Sequence, residues 1–328
     1  MQAIVLVGGE GTRLRPLTDA VPKPALTLVD RPFLAYMVEW LGTHGVTEAV
    51  LACGFQPGRL REALGEGEHG GVKLTYVVEP ERRGTAGAIR FAAEALGDRL
   101  EDRFFALNGD VLTDLDLSAL RRAHEERGAR ATIGLYGVED SSAFGLVECD
   151  AAGVVRAFRE KTGEAVPGEI NAGAYVLQRE VLDLIPPGRE FSIETEVFPR
   201  LVGDGLCALP LSGYWMDIGV PTRYLQATWD ILEGRVDTGV RPTAPGLFLG
   251  AGSAVAGSAR IGPRAVVSAG CAVDAEAAVV GSVLLPGARV GEGAVVSDSI
   301  IGADAVVAPG ARVDGATIAA HERVGAER

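Results

Sequence analysis

Several things are scarce in this chain, and each scarcity excludes something. No run approaches the roughly 18 uninterrupted apolar residues of a membrane-crossing helix, so no membrane span is expected. The opening apolar stretch lacks a basic flank and runs straight into glycines, unlike a secretory signal. Cysteine is sparse: Cys53, Cys149, Cys207 and Cys271 lie far apart without metal-ligand spacing. That fits reduced thiols and a cytoplasmic protein. None of the four histidines, His44, His69, His124 and His321, neighbours a plausible nucleophile, so Ser-His-Asp or Cys-His catalysis is not expected. Positive charge is short, with a net charge of −13, which argues against a general nucleic-acid or acidic-membrane surface. Lysine is scarcest of all: 31 basic residues include only Lys23, Lys73 and Lys161. A compact ammonium suits a single phosphate oxygen better than a planar guanidinium does.

What is present begins at the N-terminus. Ala3–Val7 reads as a buried strand that spills into Gly8-Gly9-Glu10-Gly11-Thr12-Arg13-Leu14-Arg15-Pro16. Glycines let backbone N–H groups approach an anion, Thr12 adds a hydroxyl, and Arg13, Arg15 and Lys23 add charge. This is equipment for gripping a polyphosphate. It is not a Walker A loop, which would end Gly-Lys-Ser/Thr where this one has Gly11-Thr12-Arg13. Nor is it a dinucleotide fingerprint, whose third glycine is replaced by Leu14.

At 328 residues the chain is long for one core, and two domains are expected. Up to about residue 120, strand-like stretches (3–7, 48–53, 73–79, 104–107) alternate with helix-like ones (32–41, 56–64, 85–96, 117–127). Gly42 and Gly97 are placed to close the first and third helices. The alternation predicts a three-layer α/β domain with a mostly parallel sheet. Strands then crowd together at 131–138, 145–149, 154–159 and 173–177, which makes the sheet mixed. Residues 1–233 form this expected domain, and 234–250 read as a linker. From 251 to 328 aliphatics recur in phase: Val255, Ile261, Val267, Val273, Val279, Leu284, Val290, Val296, Ile301, Val307, Val313, Ile318 and Val324. The step is six, shortened to five once every seventeen residues, as one short side per triangular coil would give. This is the hexapeptide pattern of a left-handed parallel β-helix.

Two aspartates stand out on chemistry. Asp110 follows Asn108-Gly109 at the C-terminal end of an apolar strand, where open α/β sheets bind ligands. Asp114 or Asp116 is better placed to cap the next helix, which leaves Asp110 for other work. Asp217, in Trp215-Met216-Asp217-Ile218-Gly219, supplies a second carboxylate beside a glycine. Two such hard oxygen ligands can converge on one Mg²⁺. Glu79-Pro80 ends a strand, and Gly84-Thr85 opens a helix whose amides can meet a base or sugar.

The glycine-rich segment, with Leu17-Thr18 and then Pro22-Lys23-Pro24, resembles the opening G-G-x-G-T-R-L-x-P-L-T and P-K-P motifs of the sugar-1-phosphate nucleotidyltransferases. Phe158-Arg159-Glu160-Lys161-Thr162 is similar to the family's F-x-E-K-P, with Thr162 in place of proline. Phe144-Gly145 and Ile170-Asn171-Ala172-Gly173 are similar to its sugar-pocket segments. The likeness spans nearly the whole chain. It is closest to the mannose-1-phosphate guanylyltransferase branch, through 107–114, 192–199 and 214–219.

The resemblance implies a nucleotide site of Leu6, Gly8, Gly9, Gly11, Thr12, Arg13, Lys23, Glu79, Gly84, Thr85 and Asp110. It implies a sugar-phosphate site of Gly145, Glu160, Lys161, Asn171 and Asp217, and Mg²⁺ held by Asp110 and Asp217. Arg13, Lys23, Asp110, Lys161 and Asp217 would carry catalysis. The implied reaction is nucleotidyl transfer from a nucleoside triphosphate to a sugar-1-phosphate, with GTP and mannose-1-phosphate favoured over glucose-1-phosphate with UTP, dTTP or ATP. The expected protein is a homo-oligomer that binds neither nucleic acid nor membrane. A non-catalytic regulatory subunit tends to lose the loop and metal residues, which this chain keeps. An added acyltransferase activity would want a histidine between coils, and the repeat region has only His321.

Overall fold

The computed structural model describes residues 1–54, 56–142, 144–159, 163 and 165–325. They form two compact units: Met1–Gly9 with Met37–Trp215, and Glu10–Tyr36 with the chain from Met216 onward.

The first unit is built on a ten-stranded mixed sheet. Its order is Val155–Arg159, Leu146–Cys149, Gly168–Gln178, Arg103–Asn108, Gln2–Leu6, Glu48–Cys53, Val72–Val78 and Glu68–His69. Ala131–Val138 pairs with Gly168–Gln178 and with Leu206–Pro210. Gln2–Leu6 lies parallel between Arg103–Asn108 and Glu48–Cys53, and its Ala3, Ile4 and Val5 are fully buried. This is why the opening run is apolar without alternation: both faces of a central parallel strand are covered. Helix Gly84–Leu96 buries Ala86, Ala88, Ile89, Ala92, Ala93 and Leu96. Its alanines let the backbone come close to the sheet, and Gly97 stops it as expected. Asp116 caps helix Leu117–Arg127 by accepting from the Ala119 amide at 2.9 Å, so capping does not occupy Asp110.

Two expectations need adjustment. Gly42 does not close its helix, which runs Phe33–Thr43; instead Gly42 sits inside it, against the Gly70 carbonyl and Val72. The strand expected at 173–177 is the long Gly168–Gln178. Its pairing with Ala131–Val138 slips so that residues 172–174 face the single Gly134. Such a bulge bends the strand and re-aims its side chains.

In the second unit the repeat region folds into three parallel sheets, of five, five and four strands, starting at Leu247–Leu249. This is the left-handed β-helix that the six-residue period specifies. Partners are one coil apart, as in Val267 with Leu284 and Ile301 with Ile318. The phased aliphatics form one continuous core: Val267, Val279, Leu284, Val290, Val296, Ile301 and Val307 are all shut from solvent or nearly so. Each contributes about 1.5–3 kcal/mol on burial.

Candidate active site

In the first unit, three parallel strands deliver their C-terminal ends side by side. Leu6 is in register with Asn108 on one flank and Ala52 on the other. Backbone bonds continue past the strands: Val7 N–H to Ala52 O at 3.0 Å, Gly109 N–H to Leu6 O at 2.9 Å, Glu79 N–H to Cys53 O at 2.8 Å. Gly8, Gly9, Glu79, Gly109 and Asp110 therefore share one sheet edge. Gly109 has to be glycine, because a Cβ there would lie 2.6 Å from Val7 Cγ1 and 2.7 Å from Leu6 O. Asp110 follows it, half-buried. Glu79 Oε1 is 3.5 Å from where a Gly8 Cβ would stand, so its carboxylate faces the loop. Burial pushes the Glu79 pKa up, with the Arg83 charge opposing.

The helix start beside Glu79 is already engaged with another segment. The Ala86 and Gly87 amides donate to Phe191 O at 2.9 and 3.2 Å. Thr85 Oγ1 donates to Glu194 Oε2 at 2.7 Å and accepts from the Ile193 amide at 2.9 Å. The amides of Ala86 and Gly87 and the Thr85 hydroxyl thus hold the 191–194 segment. Only the amides ahead of them remain as the expected contacts to a base.

The bulge at 172–174 builds the sugar-side expectation. Asn171 Oδ1 accepts from the Gly173 amide at 2.9 Å, and Nδ2 donates to Tyr175 Oη at 2.8 Å. Trp215 Nε1 donates to Ala172 O at 2.8 Å; its ring stacks on Tyr136 at 5.5 Å and meets Phe144 edge-on at 5.7 Å. Gly145 follows Phe144, beside this aromatic group in sequence. Burial first, then the charges of Glu194 and Asp110, drive the Tyr175 pKa well above its usual value, so the hydroxyl stays a donor. Glu160 and Lys161 lie outside the described residues.

The second unit gathers the remaining expected residues around Asp217. Gly11 takes a left-handed conformation (φ 64°) and starts a short turn, Thr12–Leu14, that buries Leu14 and exposes Thr12 and Arg13. Lys23 is 7 % exposed and lines a small cavity together with Leu14, Leu26, Leu28, Phe33, Ile218 and Tyr224. Its ammonium lies 3.5 Å from Asp217 Oδ1. Arg223, in the first turn of helix Pro221–Leu232, lies 3.6 Å from Asp217 Oδ2. A Cβ at Gly219 would come within 2.8 Å of Arg13 Nη2 and 3.1 Å of Asp217 Oδ2, so glycine there leaves room for both side chains. Asp217 Oδ1 is buried yet takes no hydrogen bond among the described residues.

That orphaned oxygen is what a hard cation would use, so the donor set fits a divalent metal. Among the described residues no cluster of three or more His, Cys, Asp or Glu side chains could hold a metal.

Sequence reasoning missed Arg223, Glu194 and Tyr175. Arg223 carries no local signal beyond its place after Gly219-Val220-Pro221. Glu194 lies in the 192–199 segment, noticed for its likeness and given no role.

A family model described as nucleotidyl transferase matches residues 2–234, and one described as GMPPB C-terminal domain matches 244–327. A mannose-1-phosphate guanylyltransferase of Mycobacterium tuberculosis is 36 % identical over 300 residues, covering 88 % of this chain and 81 % of that protein. A probable mannose-1-phosphate guanylyltransferase 1 of Oryza sativa is 39 % identical over 317 residues, covering 92 % and 86 %. Among solved structures, HddC from Yersinia pseudotuberculosis complexed with GMP-PN superposes with a TM-score of 0.61 at 27 % identity, covering 70 % of this chain and 99 % of that one.

Proposed function

Because the chain belongs to the nucleotidyl transferase family, we propose that it joins GTP to mannose-1-phosphate, releasing pyrophosphate and forming GDP-mannose. One observation carries the chemistry: a buried Asp217 oxygen without a hydrogen bond, beside the ammonium of Lys23 and flanked by Arg13 and Arg223. The choice of substrates follows from the relatives named above, supported by the GMP-PN complex of the Yersinia protein.

In this reading a phosphate oxygen of mannose-1-phosphate attacks the α-phosphorus of GTP in line. The new P–O bond forms as the bond to the β-phosphate oxygen breaks, and pyrophosphate carries the electron pair away. The attacking phosphate is already ionised near neutral pH, so no general base is needed. The protein's work is to bring two polyanions together and offset the charge that moves to the leaving group. Arg13 and the amides of Gly8, Gly9, Gly11 and Thr12 take the pyrophosphate portion, and Lys23 the phosphates at the reacting centre. Leu6, Glu79, Gly84 and Thr85 flank the nucleoside. Gly145, Glu160 and Asn171 receive the sugar, and Lys161 its phosphate. Asp110 and Asp217 would hold Mg²⁺, which when bound would offset phosphate charge and lower the repulsion between the two substrates.

Glu79 supplies an acceptor suited to the N1–H and exocyclic amine of guanine. Leaving that acceptor unpaired with the wrong base can cost about 1–3 kcal/mol. Residues 1–233 would be the catalytic region, 234–250 a link that ends in the first β-helix strand, Leu247–Leu249, and 251–328 the rest of a β-helix serving stability or homo-oligomer assembly. The four thiols are all free, in keeping with a cytoplasmic protein.

The test is kcat/KM for pyrophosphate release over GTP, UTP, dTTP and ATP, each with mannose- and glucose-1-phosphate. GTP with mannose-1-phosphate should lead. A clear preference for glucose-1-phosphate with a pyrimidine triphosphate rejects the assignment.

A further inference from the structure

The segment Ser192–Pro199 has so far no part in the reaction, yet one of its side chains touches both sides of the first unit's site. Ile193–Val197 winds as a single π turn into Phe198–Leu201, a form that recurs at functional sites. Three hydroxyls converge on Glu194: Thr85 at 2.7 Å and Ser192 at 2.9 Å on Oε2, and Tyr175 at 3.3 Å on Oε1. Tyr175 Oη in turn accepts from Asn171 Nδ2, and Asn171 Oδ1 is fixed by the Gly173 amide. A directed chain of hydrogen bonds therefore runs from Asn171 through Tyr175 to Glu194, and from Thr85 to the same carboxylate.

We propose that Glu194 is a positioning residue that locks the sugar-side Asn171 and the nucleotide-side Thr85 helix start to one anchor. The inference rests on the roles given to Asn171 and Thr85 above. A charged carboxylate only accepts, so three donors can meet it at once. An amide in its place would turn its N–H₂ toward at least one of them and break a limb of the network. Networks of this kind are worth more than their separate bonds, and they fix orientation as well as energy. The two limbs can be cut independently. Tyr175→Phe removes the hydroxyl that links Glu194 to Asn171 and leaves Thr85 bonded. Thr85→Val removes the other limb with little change of shape.

The experiment measures the two KM values by pyrophosphate release, with the melting temperature of each variant. The wild type is first assayed with GTP and mannose-1-phosphate. Failure of that pair sinks the substrate assignment alone, and the variants are then read with whichever pair the wild type uses. Tyr175→Phe should raise KM for the sugar phosphate by about tenfold, the equivalent of one lost hydrogen bond, and leave that for the nucleotide near wild type. Thr85→Val should do the reverse. Glu194→Gln should raise at least one of the two, and if it fails to fold the two limb variants carry the test. Limb variants that move both KM values together, or that lower only the melting temperature, overturn the proposal. So does a folded Glu194→Gln with wild-type values.

Discussion

Replacing Gly9 with alanine separates what the fold needs from what a ligand needs. Gly9 is not in the left-handed region, and among the described residues nothing lies within 4 Å of a Cβ built on it. The chain thus has no reason of its own to prefer glycine there. By removing unfolded-state freedom, alanine should stabilise the protein by about 0.4–1 kcal/mol, a melting rise of roughly 1–3 °C. The polyphosphate reading predicts the opposite for binding. If the empty side of Gly9 is where the β- and γ-phosphates lie, a methyl group lifts them from the loop amides and weakens at least one charge-assisted hydrogen bond. Such a bond is worth about 1.5–3 kcal/mol, so KM for GTP should rise roughly 10- to 150-fold. KM for mannose-1-phosphate should stay close to wild type. Steady-state kinetics with each substrate varied, alongside a thermal melt, gives all three numbers. A Gly9→Ala protein with wild-type KM for GTP would put the phosphates elsewhere. A drop in melting temperature would contradict the open space on which the reasoning rests.

Two further outcomes follow from buried groups. Asp217→Asn removes the carboxylate charge 3.5 Å from the nearly buried Lys23 ammonium and should lower stability, which a denaturant titration reads. It should also cut turnover by orders of magnitude, and a folded variant with near-wild-type turnover at saturating Mg²⁺ would refute the metal role. His124 is fully buried, with Nδ1 2.9 Å from Thr132 Oγ1 and Nε2 3.1 Å from Gln178 Nε2. Burial, and then the charge of Arg103, hold its pKa down to about 4. The unfolded chain takes up the proton near 6.5, so this stability is complete above that pH and falls away toward pH 4, by roughly 3 kcal/mol in all. Unfolding free energies of wild type and His124→Gln at pH 7 and 4.5 test it: the variant should lose less on acidification, and equal losses would refute the assignment.

Elements whose signal is local were legible in the sequence. Apolar runs gave Gln2–Leu6, Glu48–Cys53 and Arg103–Asn108 to within a residue or so, because a strand covered on both faces has to be continuously apolar. The β-helix was legible for a related reason: each coil repeats the demand of the last, and the six- and five-residue steps record its corners. What escaped depends on distant partners. Leu206–Pro210 joins the sheet beside Ala131–Val138, seventy residues and more away, with nothing in its own five residues to say so. The bulge at 172–174 exists only relative to Gly134 opposite it. Arg223 and Glu194 are ordinary charges until the fold brings Asp217 to one and Thr85 and Tyr175 to the other.

The glycines of the N-terminal loop show why a motif alone could not apportion the site. In sequence, Gly8, Gly9 and Gly11 are one signature, and each invites the same explanation: room for an anion. Their surroundings differ. Gly11 needs its left-handed φ of 64°, a backbone reason that would hold with no ligand bound. Gly8 lies with its would-be Cβ 3.4 Å from the Gly54 amide and 3.5 Å from Glu79, so packing already presses on it. Gly9 alone has neither reason. A residue that the protein's own conformation and packing leave unconstrained is the one whose identity has to be explained from outside the chain. In the proposed reading that makes Gly9, rather than the motif as a whole, the position at which a nucleotide's phosphates would be most directly written into this sequence.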